Sequence, residues 1–177
     1  MSCIKYNETI DSILNVHRQD LGRYFEQYQN HVYRVFNFAV PYLVSDIEFE
    51  TISIAAAFHD LGIWTNKTFD YIKPSIDLVK RYSIENKIDL VVFDEIAVII
   101  GEHHKLTSVK NSKLAEIFRQ SDLVDLTFGL IRHGRDKHDM EMIKKTFPNK
   151  GFHLYLLKLF LKNLITSPWK PLPMYKF

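Results

Sequence analysis

The chain has a single cysteine, Cys3, so no disulfide can form within it. It has only six glycines and six prolines, too few for a loop-rich or collagenous chain. Charge is nearly balanced, at +2 with the histidines neutral, which gives no general reason to expect a nucleic acid polymer or a membrane as partner. No apolar run approaches the roughly 20 residues of a membrane span. The opening residues Met1 to Asn7 are polar and mixed, with no apolar stretch after them. A secretory leader is therefore not expected, and the cytoplasm is the default compartment. Segments that alternate apolar and polar residues between turn signals are also few.

What the chain does have is a hydrophobic fraction of 46% and an aromatic fraction of 14%, enough for one packed core rich in rings. Apolar residues recur at intervals of three and four, the helical period. The spacing predicts helices over 9–27, 28–43, 47–61, 74–86, 89–104, 112–127, 136–146 and 151–165. The stretch 63–73 reads as an ordered loop, with a helix opening at Pro74. Pro168, Pro171 and Pro173 predict an extended tail from Ser167 to Phe177, with Trp169, Met174, Tyr175 and Phe177 laid against the body. The absence of repeats and linkers makes residues 1–177 one all-α domain. The aromatic tail leaves room for a homodimer.

Several polar residues fall on apolar helix faces. Tyr28, His31, Val35 and Phe38 share one stripe, as do Ile52, Ala55, Ala56 and His59, with Asp60 next in line. Leu114, Phe118 and Asp122 share a third. A lone inward histidine is commonly just a satisfied core residue, but an inward carboxylate is expensive to bury unpaired. Two imidazoles and two carboxylates aimed at a common interior call for a compensating cation. Histidine and carboxylate suit zinc, manganese, iron, cobalt or nickel, and the oxygen ligands also admit magnesium.

These residues carry a resemblance. His31 stands in Tyr-Gln-Asn-His-Val-Tyr-Arg-Val, His59 and Asp60 in Ala-Ala-Ala-Phe-His-Asp-Leu-Gly, and Asp122 in Gln-Ser-Asp-Leu-Val-Asp-Leu. The pattern H…HD…D resembles the HD-domain superfamily of metal-dependent phosphohydrolases over about residues 20–130. The resemblance implies an HD-type helical bundle with one or two divalent metals in its core. It also implies hydrolysis of a small phosphoester, a nucleotide among the candidates, by a metal-activated water. Asp60 is expected to ligate metal and to orient the water or bridge to a second metal.

Glu102-His103-His104 closes the helix predicted over 89–104. His103 shares its apolar face and is the expected additional metal ligand, and His104 lies one step round, toward substrate. Three places after Asp60, where many catalytic HD proteins carry Lys or Glu, this chain has Ile63. The expected replacements as acid or base are Glu102 and Asp70, with Lys67 and Asp125 as further candidates. Asp125, three residues after Asp122, is a candidate to orient a ligand. Arg34 and Lys105 are the expected anion contacts. The run Arg132, His133, Arg135, Lys137 and His138 reads as a solvated surface, and His17 and His153 as structural or exposed residues. Two other readings stay open: a non-catalytic HD-fold module that binds a ligand, and a di-iron oxygenase on the same fold. The adjacent histidine pair and Ile63 fit the latter poorly.

Overall fold

A computed structural model describes residues 3–174. Among these residues the fold is all-helical, with no strand. The helices are α1 (Glu8–Val16), α2 (Arg18–Leu21), α3 (Phe25–Ala39), α4 (Asp46–Phe58), α5 (Gly62–Thr65), α6 (Ile72–Glu85), α7 (Leu90–Glu102), α8 (Lys113–Leu126), α9 (Lys137–Thr146) and α10 (Phe152–Thr166). Their starts are set by local chemistry. The side chains of Asn7, Ser45, Asp89, Ser112 and Asp136 each accept a backbone N–H of the first turn that has no carbonyl partner in the helix.

Four of these helices make a closed ring. α3 packs on α4 and α8, and α7 packs on the same two. Small residues permit it: Ala55, Ala56 and Ala57 on α4 and Ala115 on α8 are fully buried. Rings fill much of the remaining core. Tyr33 stacks on Phe147 at 4.7 Å between centroids, and Tyr28 lies 4.7 Å from Trp64.

Several expected boundaries shift. The helix expected over 9–27 is broken: α1 ends at Val16, and Gly22 takes φ +50°, a left-handed value that glycine adopts without strain, before a 3-10 turn leads into α3. The helix expected over 47–61 ends at Phe58, and His59 to Leu61 form a turn. The start of the expected loop 63–73 is helical, as α5. The next helix opens at Ile72, two residues ahead of Pro74, which is tolerated because a first-turn proline has no helix hydrogen bond to lose.

The tail is corrected in part. Over residues 167–174 the chain turns rather than extends, and Asn163 Nδ2 donates to the carbonyls of Lys170 and Pro171, each at 3.0 Å. Met174 is buried, whereas Trp169 sits on the turn after Pro168 and is 98% exposed. Tyr175 and Phe177 lie outside the described residues. Arg135 departs from the solvated reading of its run. It is buried, donating Nε–H to the Phe38 carbonyl at 2.9 Å and Nη2–H to Ser121 Oγ at 2.8 Å.

Candidate metal centre

The four-helix ring delivers ionisable side chains to its own centre. α3 contributes His31, the end of α4 contributes His59 and Asp60, the end of α7 contributes His103 and His104, and α8 contributes Asp122 and Asp125. His31, His59, Asp60, His103 and Asp122 are all at most 4% exposed.

Hydrogen bonding fixes the tautomers. His59 Nδ1 lies 2.8 Å from the Ala56 carbonyl, and His103 Nδ1 lies 2.7 Å from the Ile100 carbonyl. A carbonyl only accepts, so each Nδ1 carries the hydrogen. His31 Nδ1 donates to Asp125 Oδ2 at 2.7 Å. In the neutral rings all three Nε2 atoms therefore hold a lone pair. The Nε2 atoms of His31 and His59 face one another at 2.9 Å. Asp60 Oδ2 lies 3.7 Å from His31 Nε2 and 3.5 Å from His59 Nε2, and Asp122 Oδ1 lies 3.6 and 3.9 Å from the same two atoms.

Two facing lone pairs beside two carboxylates repel in a buried site. A proton shared between the two rings would relieve that contact and offset one of the two carboxylate charges. Asp60 Oδ1 and His103 Nε2, 3.5 Å apart, have no other hydrogen-bond partner among the described residues. The spacings instead suit a cation: ligands about 2.1 Å from a tetrahedral ion stand about 3.4 Å apart. A divalent charge also offsets the carboxylates of Asp60 and Asp122. His31, His59 and Asp122 form one group able to hold an ion, and Asp60, His103 and His104 form a second. Asp60 joins them, with Oδ2 toward the first pair of histidines and Oδ1 3.5 Å from His103 Nε2.

The electrostatics keep His59 and His104 free to ligate, whereas at His103 burial is outweighed by Asp60 and Asp122, which raise the imidazole above its usual value. Burial pushes the His59 imidazole down to about 3, so the ring is neutral at ordinary pH. Burial also pushes Asp122 up, to about 6. For Asp60, burial acts upward, but the hydrogen bond from His103 and the surrounding imidazoles' charge outweigh it wherever those rings are protonated and hold the carboxyl below its usual range. His104 is pushed well down by burial and by His103.

Around the ligands lies a set of positioning contacts. Arg34 donates Nε–H to Asp125 Oδ1 at 2.6 Å, Nη2–H to Asp125 Oδ2 at 2.8 Å and Nη1–H to the Phe147 carbonyl at 3.0 Å. Its expected role as an anion contact is therefore corrected: the guanidinium is buried and committed to Asp125, behind His31. Phe152, the first residue of α10, stacks on the His31 ring at 4.1 Å. His153 Nε2 donates to the Asp125 carbonyl at 2.9 Å. Tyr28 Oη donates to the Ala57 carbonyl at 3.0 Å and accepts the Asp60 N–H at 3.3 Å, holding the turn that presents His59 and Asp60.

The centre has a narrow mouth of about 70 Å³, lined by His103, His104, Lys105, Arg119, Asp122 and leucines 106, 123 and 126. That is about two water volumes. Lys105, an expected anion contact, stands at this mouth. Its Nζ pairs with Glu102 Oε2 at 3.3 Å, which places Glu102 beside the mouth and outside the ligand cluster. His104 also lines the mouth, with its Nε2 2.5 Å from Tyr71 Oη. Asp70 is not brought here: it is exposed and paired with Lys170 at 3.3 Å, because the side chain at the start of α6 that turns inward is Tyr71. Ile63 is buried, three residues after Asp60.

Sequence reasoning missed Tyr28 as a positioning group, Tyr71, and Arg119. Arg119 was legible in principle, since it precedes Asp122 by three residues on one helix face. Tyr71 had no local signal, since only the tertiary fold sets it against His104. Comparison of the chain with protein-family models, with curated proteins and with solved structures finds no match.

Proposed function

We propose that this chain is a metal-dependent phosphohydrolase of the HD type, acting on a small phosphoester through an activated water. The observation that carries the reading is the pair of Nε2 lone pairs of His31 and His59 at 2.9 Å, with Asp60 and Asp122 beside them. The order His31, His59-Asp60, Asp122 is the HD signature, and the histidine pair at the end of α7 offers ligands for a second ion.

When bound, a divalent cation supplies Lewis acidity, acidifying a water and polarising a phosphoryl oxygen. The protein's own groups do the rest. Lys105 at the mouth draws in the anionic ester, and Arg119, held by Glu116 through Nε and Nη2, donates Nη1–H to the Lys105 carbonyl and so positions that segment. The leucines of the mouth exclude bulk water. His104, neutral and bonded to Tyr71 at the mouth, is placed as a hydrogen-bonding group for the ester, and the departing oxygen takes its proton from solvent. The mouth admits the phosphoryl head, so the organic part of the ester stays outside.

The test is metal content and turnover together. The metal-free protein is loaded with manganese, iron, cobalt or zinc and assayed on a panel of phosphomonoesters and phosphodiesters. Bound metal, with turnover abolished by His59→Ala, supports the proposal. Bound metal with no turnover on any ester would favour a ligand-binding module, and no bound metal at all would undo the centre itself.

A further inference from the structure

A second feature lies on the far side of Trp64 from the metal centre. A cleft of about 600 Å³ runs between the Gly22–Tyr24 turn, α5 with the loop after it, and the inner side of α10. It exists because α10 turns few side chains onto the body, with Phe152 its one buried residue. Tyr155, Leu159 and Lys162 follow along the side of α10 that faces the cleft.

The walls are aromatic. Trp64 and Tyr155 are stacked, with centroids 5.6 Å apart and planes 16° apart, and Tyr24 packs on Tyr155 at 4.2 Å. Trp64 is only 6% exposed, yet its indole N–H has no hydrogen-bond partner among the described residues. The rim is cationic: Arg23, Lys67 and Lys162 line the cleft, and none of them forms an ion pair among the described residues. The one carboxylate of the lining, Asp20, is engaged by His17 at 3.0 Å. Lys67 sits in the left-handed region at φ +51°, a conformation costly for any residue with a Cβ.

We propose that this cleft is a second ligand site, for a planar aromatic ring that carries a phosphate. The ring lies against the aromatic wall, and the phosphate is held by the three rim cations. The volume is in the range of small-molecule sites, about 300–1,000 Å³. The site is distinct from the metal centre. The cleft and the metal mouth share no lining residue, and the Tyr28 ring stands between them, 4.7 Å from Trp64 and 6.1 Å from His59.

The chain has two tryptophans, Trp64 and the exposed Trp169. A Trp169→Phe variant therefore reports on Trp64 alone. Adenosine 5′-monophosphate is titrated into this full-length variant with chelator present, with adenosine and inorganic phosphate as separate probes. The expected result is a saturable change in Trp64 fluorescence with the monophosphate, and binding weaker by about tenfold or more for either half alone. Adding Lys67→Ala and Lys162→Ala, both on the surface, weakens the monophosphate by at least a similar factor while the thermal midpoint stays in place. No saturable change, or affinity indifferent to the two lysines, overturns the proposal. Binding that needs added metal and disappears in His59→Ala assigns the ligand to the metal centre and overturns it equally.

Discussion

Replacing Asp125 with asparagine keeps the shape of the side chain and removes its charge. In the folded protein Asp125 accepts from His31 and, through both oxygens, from Arg34, and the charged pair is 2% exposed on each side. Burial alone would raise the Asp125 carboxyl, but the bonds from His31 and Arg34 outweigh it and hold the group below the usual carboxylate range. The Asp125→Asn change would leave the Arg34 guanidinium buried without its counter-charge. Breaking a buried pair from one side costs about 3–5 kcal/mol. For a chain of 177 residues, about 3 kcal/mol lowers the thermal midpoint by roughly 6–12 °C. His31 would also lose the carboxylate that orients its ring, and such losses weaken metal binding about 10–100-fold. The assay is a thermal melt of metal-free and manganese-loaded protein, with affinity from calorimetry. Arg34→Met alone should cost a similar amount, and the double variant less than the two together, because neither charge is then left orphaned. A midpoint lowered by less than about 2 °C with unchanged metal affinity, or strict additivity in the double variant, would refute the reasoning.

Asp122 and Gly62 give three more outcomes. Asp122 is raised by burial to about 6 in the metal-free protein, above its ordinary value, so it is protonated below that pH and must lose the proton to ligate. Metal affinity should therefore fall as pH drops below about 6, with proton release on binding that calorimetry in buffers of different ionisation enthalpy detects. The same group contributes folding stability that is complete below its ordinary carboxylate value and is lost as pH rises through about 6. Separately, a Cβ at Gly62 would stand 2.6 Å from the Tyr71 carbonyl oxygen and 2.9 Å from Pro74 Cβ. Gly62→Ala should cost about 1–3 kcal/mol by overpacking. Denaturant unfolding measures it, and an unchanged midpoint would mean that α5 and α6 can separate freely.

Much of this protein could be read before any coordinates were known. The helical period fixed the class, and the stripes through His31, His59 and Asp122 placed those residues inward, because a face at 3.6-residue spacing is a local property of the chain. The helix breaks at Gly22 and Phe58 were not legible. The first depends on a left-handed backbone angle and the second on the Tyr28 hydroxyl reaching across from α3, neither of which the period encodes. The same division runs through the site. Spacing nominated the ligand residues one helix at a time, whereas their approach to 2.9 Å, the division of the two Asp60 oxygens between the histidines and the diversion of Arg34 to Asp125 are relations between helices far apart in sequence. Residue type and spacing alone determined what chemistry this chain has available. Only the closing of α3, α4, α7 and α8 into a ring decided which groups share one buried space, because burial makes unpaired charge costly and so dictates which partners must meet.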